Sequence, residues 1–451
     1  MTAIDPAAGK RVGETLRTQR DPSRRSEGHP SGGGRHPGSL SGWRRRGEPW
    51  RPAEVPTIPQ PVRSRSVKAL QFRRSEVRYA AANLASRLRP GSGATHGPLR
   101  LVDPLDPPEL PAPDWVRLSP RLSGICGSDL STVEGHASPY FEDLVSFPFI
   151  PGHEVLAMDE HDRRVVVEPV LGHEARGFVP PFEGAAPGDG DDYRHLVAGD
   201  LEPGIQTGYC TDAGGGWATE MVAHPSQLHV VPDALSDDAA VMLEPAAGGV
   251  HAALKAEADA DATVAIIGAG TMGLVTAAAL THFTPPGRMI VAAKYPRQRE
   301  LARSFGAHDV VQPDELARAV RRATGSFMIG PRLSGGADVV IDAVGTAASL
   351  TQAIGICRPR GRVVLLGMPG TVRVDLTPLW HRETELVGAY TYGTETLPDG
   401  RAASSFSLAM ELAASQPLAE LVSARYPLDH YEDAIRHAAE AGPRGGIKIV
   451  F

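Results

Sequence analysis

Cysteine is scarce in this chain of 451 residues: only Cys126, Cys210 and Cys357 occur, too few and too scattered for a disulfide framework. A reducing cytoplasm suits such a sequence. Long apolar runs are missing too, since no stretch of about eighteen or more strongly apolar residues is free of charges or helix breakers, and no membrane partner is expected. Net charge is only -7, which gives no reason to expect nucleic acid as a partner. That charge is uneven. Residues 1–66 hold twelve Arg and one Lys against six acidic residues, a net of +7, which leaves -14 for the remainder. This first stretch, centred on SGGGRHPGSLSGWRRRGEPWRP, has almost no periodic apolar pattern and lacks the apolar core of a secretory signal. It buries too little surface to offset its ordering entropy, so disorder is expected. Arg44 to Arg46 beside Trp43 and Trp50 leave open a role with RNA or an acidic surface, or as a transit peptide. The plainer reading is an appendage without catalytic consequence.

What is present is concentrated between Thr263 and Leu280, TVAIIGAGTMGLVTAAAL. Thr263 to Ile267 is a β-branched apolar run too short for a helix and closed by glycine, which predicts a buried strand of a parallel sheet. Gly268, Gly270 and Gly273 follow in G-x-G-x-x-G order. The first permits a sharp turn, the second lets backbone approach a pyrophosphate, and the third lets the helix pack on the strand. The free N–H groups of Thr271, Met272 and Gly273 at the helix start then face a dianion. A dinucleotide site is predicted here, although any glycine-rich turn of an α/β protein matches the same three glycines.

The next strand, Arg288 to Ala293, lacks the acidic residue that grips a ribose 2′-OH. Ala293 stands there, followed by Lys294, Arg297 and Arg299. Cationic groups attract a 2′-phosphate where a carboxylate repels it, so NADP is favoured and NAD remains possible. Arg297 and Arg299 also read as ordinary solvated charges on the helix that Pro296 begins and Gly306 ends.

From Val67 to about Glu244 the pattern is one of short strands divided by Pro and Gly, and no long helix is expected before Ser236. From Ala262 strand and helix alternate, with later strands at Val339 to Ile341, Arg362 to Leu366 and Leu386 to Ala389. After about Tyr392 short segments return, ending in GGIKIVF. The reading is α/β: a disordered extension (1–66), a β-rich domain begun at 67–245 and completed by 392–451, and a doubly wound nucleotide domain between (246–391).

Three further places carry chemistry: GICGSDL (124–130), PGHE (151–154) and LEP (243–245). Cys126 offers a thiolate, His153 an imidazole, Glu154 and Glu244 carboxylates, a donor set that suits zinc with one position left open. Spacing alone does not bring them together. A free cysteine is usually a small buried hydrophobe, and a single histidine usually a satisfied polar group.

Taken in order, GICGSDL, PFIPGHEV, VVVEPVLG, GGGWATEMVAHPSQLHVVPD, LEPAAGGVHAAL, AIIGAGTMG and GRVVLLGMPG resemble the zinc-containing medium-chain alcohol dehydrogenases, and among them the polyol, threonine and glucose dehydrogenase-like members. The resemblance runs from about Val67 to the C-terminus. It implies a GroES-like β-rich catalytic domain beside a Rossmann domain. It also implies one catalytic zinc held by Cys126 and His153, with Glu154 able to move in and out of the metal's shell and Glu244 as a further direct or water-bridged ligand. Asp129 then orients the His153 ring, and Ser128 receives the alcohol proton. Dimers or tetramers are usual in this family.

Two absences set the chain apart from these relatives. Residues 171–200 contain no cysteine, with Phe182 and Ala185 where ligands would fall, so the structural zinc of many relatives is not expected. Ser131 replaces the histidine that passes the proton outward, so the relay must run through Ser131 and water or by another route. The expected activity is hydride transfer between NADP(H) and a secondary alcohol or polyol, or the matching carbonyl compound. A zinc-free quinone-type reductase and a non-catalytic NADPH-binding protein are the rival readings. Tyr140, Phe141 and Trp217 are the candidates for the substrate pocket.

Overall fold

A computed structural model describes residues 66–330 and 332–451. The expected disorder of residues 1–66 falls, but for Ser66, outside them. Six parallel strands form the central sheet, in the spatial order Asp309–Val311, Arg288–Ala292, Thr263–Ile267, Ala337–Asp342, Cys357–Leu365, Glu385–Gly388. Alternation along each strand divides its residues between two apolar layers. Val264, Ile266, Met289, Val291, Val339 and Ile341 face the helices Leu243–Lys255, Thr271–Phe283 and Ser405–Ser415. Ala265, Ile267, Ile290, Ala292, Val340 and Val363 face Leu316, Val320, Leu350 and Ile354 on the opposite side. With both faces covered, the strands read as unbroken apolar runs, the feature that made Thr263–Ile267 recognisable.

A second, antiparallel sheet takes the order Met221–Ala223, Val116–Ser123, Val155–Met158, Arg164–Val167, Leu228–Val230. Together the two sheets give the expected two-part α/β architecture. The chain's last strand, Lys448–Val450, returns to this β-rich part. Ile125 N–H donates to the Ile449 carbonyl at 3.0 Å, and Ser123 and Phe451 exchange backbone bonds at 3.0 and 2.9 Å.

One long helix corrects the sequence reading. Glu76–Leu88 is a 13-residue helix capped by Ser75, where only short strands were expected before Ser236. Its run Ala80–Ala81–Ala82 has high helix propensity. Yet the side turned inward consists of Tyr79, Ala82, Asn83 and Ser86, so no large apolar periodicity announces it. Among the described residues no helix is long and apolar enough to cross a membrane.

The lobe at 171–204 is pinned by a single buried cation. Arg176 is 1% exposed, and its guanidinium donates to the carbonyls of Leu171, Ala198, Leu201, Glu202 and Gly204 at 2.7–3.3 Å. Burial pulls its pKa down from the usual guanidinium value. The planar fork of donors satisfies backbone oxygens that no sheet or helix would reach.

Candidate active site

Cys126 caps the short helix Gly127–Val133, and its backbone N–H donates to Asp129 Oδ2 at 3.0 Å, which fixes both residues on one turn. His153 and Glu154 arrive from the Pro151–Gly152 turn. Gly152 has φ +96°, and a Cβ there would lie 2.3 Å from the Trp217 ring, so only glycine lets the turn sit this close. Trp217 is fully buried and donates to the Gly124 carbonyl at 3.2 Å. It is therefore a prop beneath the site, not the pocket residue the sequence suggested.

The donor atoms of Cys126, His153 and Glu154 all lie within 4.8 Å of one another. Sulfur, ring nitrogen and carboxylate oxygen so placed suit a tetrahedral zinc with bonds of about 2.0–2.3 Å. His153 Nδ1 is buried without a hydrogen bond, 3.4 Å from Asp129 Oδ1, and Nε2 lies 3.5 Å from Ser128 Oγ. Asp129 is held in turn by the Tyr209 hydroxyl at 3.5 Å, which also meets Thr132 Oγ1 at 3.2 Å. Burial opposes a charged His153 ring, but Asp129 and the Cys126 sulfur outweigh it and push the pKa well up. Glu244 is buried and accepts from the Tyr392 hydroxyl. Burial raises its carboxyl pKa, the positive charges of His153 and Lys448 opposing and Glu154 reinforcing the rise. Its oxygens are not among the three mutually close donors.

Lys448 is the residue that sequence reasoning missed. Its Nζ lies 2.5 and 2.7 Å from the two oxygens of Glu154 and 3.3 Å from the Ile125 carbonyl, all buried. Burial would depress its pKa, but Glu154 holds it above the usual ammonium value. A metal ion bound here would compete with the Lys448 ammonium for one carboxylate.

The glycine turn is built as its spacing implies. Gly268 has φ +94°, and a Cβ on Gly273 would fall 1.9 Å from the Gly268 carbonyl. Gly270 faces open space at the start of Thr271–Phe283, whose first N–H groups, those of Thr271, Met272 and Gly273, have no partners within the helix. At the end of Arg288–Ala292, Lys294 is exposed with Nζ 5.4 Å from the Tyr295 ring centre. Arg299 donates to the carbonyl of Lys294 at 2.7 Å. Arg297 is engaged elsewhere, with Glu300 at 2.9 Å and Glu420 at 3.2 Å.

A small open depression is lined by Tyr193, His195, Tyr390 and Thr391 among others. Tyr390 is close enough to His153 and Glu244 to feel their charges. His195 is held toward its neutral form by burial and by His173, stacked on it at 4.1 Å. Its Nδ1 donates to the Asp192 carbonyl at 3.1 Å, which leaves Nε2 as an acceptor. Tyr140 is 74% exposed and Phe141 packs in the β-rich core.

Known proteins resemble this chain in sequence and in fold. Residues 268–405 match the sequence model of the zinc-binding dehydrogenases. Sorbitol dehydrogenase of Arabidopsis thaliana is 28% identical over 75% of this chain and 88% of its own length. L-idonate 5-dehydrogenase of Vitis vinifera is 26% identical over 74% and 87%. The fold is that of 2R,3R-butanediol dehydrogenase from Bacillus subtilis, with a TM-score of 0.61 at 20% identity over 85% of this chain and 99% of that one. The chain is thus similar to the zinc-containing medium-chain alcohol dehydrogenases, in residues 268–405 by the family's sequence model and over most of its length by individual relatives. Within that family the likeness is to the polyol dehydrogenase branch.

Proposed function

We propose that the protein is a zinc-dependent oxidoreductase that moves hydride between NADP(H) and a secondary alcohol or polyol, or the matching ketone or aldehyde. The observation that carries this reading is the convergence of Cys126, His153 and Glu154, from two separate turns, on donor atoms within 4.8 Å. These three residues hold the zinc, with Glu244 as the further direct or water-bridged ligand. Bound there, zinc supplies Lewis-acid polarisation of the substrate oxygen, and the nicotinamide supplies the hydride acceptor.

The chain's own residues do the rest. Ser128 Oγ, 3.5 Å from His153 Nε2 and partly exposed, takes the proton of the alcohol and passes it to water near Ser131. Asp129 keeps the His153 ring turned so that Nε2 is the free nitrogen. Gly268, Gly270, Thr271, Met272 and Gly273 seat the pyrophosphate. Lys294 and Arg299 attract the 2′-phosphate, whereas Arg297, expected beside them, is taken up by Glu300 and Glu420. Tyr193, His195, Tyr390 and Thr391 offer the remaining hydroxyls of a polyol both donors and acceptors, which favours a hydroxyl-rich substrate over a plain hydrocarbon alcohol. A homodimer or homotetramer is proposed from the family's habit.

The test is metal content together with nicotinamide reduction on a panel of polyols and simple alcohols. About one zinc per chain, turnover with NADP, and loss of both in Cys126→Ser are expected. Full turnover by chelated, zinc-free protein on quinones would move the assignment to the zinc-free reductases. NADPH binding with no turnover on any substrate would leave a binding protein.

A further inference from the structure

The helix Glu76–Leu88 presents its apolar side to solvent. Val77, Leu84 and Leu88 are 82%, 66% and 84% exposed, and with exposed Ala81 they sit at spacings of four, three and four, which align on one helix face. Arg78 and Arg87 border that face on either side. Arg73, Arg74 and Arg89 stand at the two ends, so residues 73–89 carry five Arg against the single acidic Glu76. Arg74 pairs with Glu142, but among the described residues Arg78, Arg87 and Arg89 are in no ion pair.

The helix cannot simply roll to hide this stripe. Its other side is bolted down by polar bonds: Asn83 Nδ2 to the Gly135 carbonyl at 2.7 Å, Ser86 Oγ to the Glu134 carbonyl at 3.1 Å and to His136 Nε2 at 2.9 Å, and Ala137 N–H to the Tyr79 hydroxyl oxygen at 3.1 Å.

We propose that this helix lies on an anionic lipid surface, with Val77, Ala81, Leu84 and Leu88 dipped among the acyl chains and the arginines at the headgroups. A rod about 20 Å long with an apolar stripe edged by guanidinium groups is the form that seats in a bilayer interface. Charge decides among the occupants. A second copy would set arginine against arginine, and residues 1–66, at +7, would be repelled by the same border. An acidic protein meets the charge but not the size. Three large side chains on one convex helix fall well short of the roughly 800 Å² per partner of a standard interface. Lipid has no such requirement, and the basic segment 1–66, which precedes the helix in the sequence, adds net positive charge to the chain that meets it. Peripheral association goes beyond the expectation of no membrane partner, and it leaves as it stands the absence, among the described residues, of a helix able to cross a membrane.

The experiment is flotation of the full chain with vesicles of phosphatidylcholine alone and of phosphatidylcholine with phosphatidylglycerol, at about 0.1 and about 1 M salt, where screening shortens from about 10 to about 3 Å. Binding to the anionic vesicles only, weakened by salt, is expected. Leu84→Gln with Leu88→Gln should cut partitioning at least about tenfold while the thermal midpoint holds. Absence of binding by the wild-type chain overturns the proposal. Equal binding by the double variant also overturns it, because the basic segment then suffices. Loss of an oligomer in the double variant overturns it in favour of a subunit contact.

Discussion

Arg176 shows how much one side chain is asked to do. Five carbonyl oxygens at 2.7–3.3 Å depend on it in a lobe with little regular structure, and of these the Glu202 carbonyl also meets the Cys210 thiol at 3.5 Å. Arg176→Met keeps the bulk and removes every donor. Leaving buried acceptors unpaired costs about 1–3 kcal/mol each before relaxation, so a loss of roughly 3 kcal/mol or more in denaturant unfolding is expected. Early proteolytic cleavage confined to 171–204 should accompany it. A loss under about 1 kcal/mol would mean that water satisfies the lobe. Sequence could announce the missing cysteines here but not the arginine, because its partners are backbone atoms and leave no residue pattern. The same holds for Arg297, whose partner Glu420 is 123 positions away.

At the scale of strands and helices, a cross-strand pair in the β-rich domain sets a pH dependence. Glu168 closes the strand Arg164–Val167, and its Oε2 meets His229 Nε2 of the neighbouring strand at 2.7 Å. Its Oε1 is buried without a partner. Burial raises the Glu168 pKa above the ordinary carboxyl value, the His229 bond opposing in part. A carboxyl raised by folding favours the protonated native state. Its contribution is therefore full below the unfolded value of about 4.3 and is lost as pH rises through the folded value. Glu168→Gln has no charge to bury, so its stability relative to wild type should improve as pH rises from about 4 through the folded value and level off above it. A difference that stays flat with pH in urea unfolding would rule this out.

Elements differed in how plainly they could be read. Thr263–Ile267 and its neighbours were legible because both faces are covered and the run is uniformly apolar. Glu76–Leu88 was not, because its buried side is polar or small and its large apolar residues point outward. Cys126, His153 and Glu154 each stand in a local motif. Lys448 was visible only as one residue of a strand-like tail, since a partner 294 residues distant leaves no local spacing.

For the whole molecule, the cofactor reading becomes a statement about stability. A ligand that binds only the folded chain stabilises it by mass action, about 2.7 kcal/mol at a hundredfold excess over its dissociation constant. NADP should raise the thermal midpoint by a few degrees, and NAD at equal concentration by less, if Lys294 and Arg299 read the 2′-phosphate. An equal or larger shift with NAD would show that the absent acid at Ala293 does not decide the cofactor.

The final strand has a bearing on how the molecule is made. Cys126, His153 and Glu154 leave the ribosome long before Lys448, yet the Glu154 carboxylate is sealed in with that ammonium as its close counter-charge. A nascent chain stopped short of Lys448 would carry the donors without their neutralising mate. Unfinished copies should accordingly be inert and exposed to quality control, not slow enzymes at large in the cell.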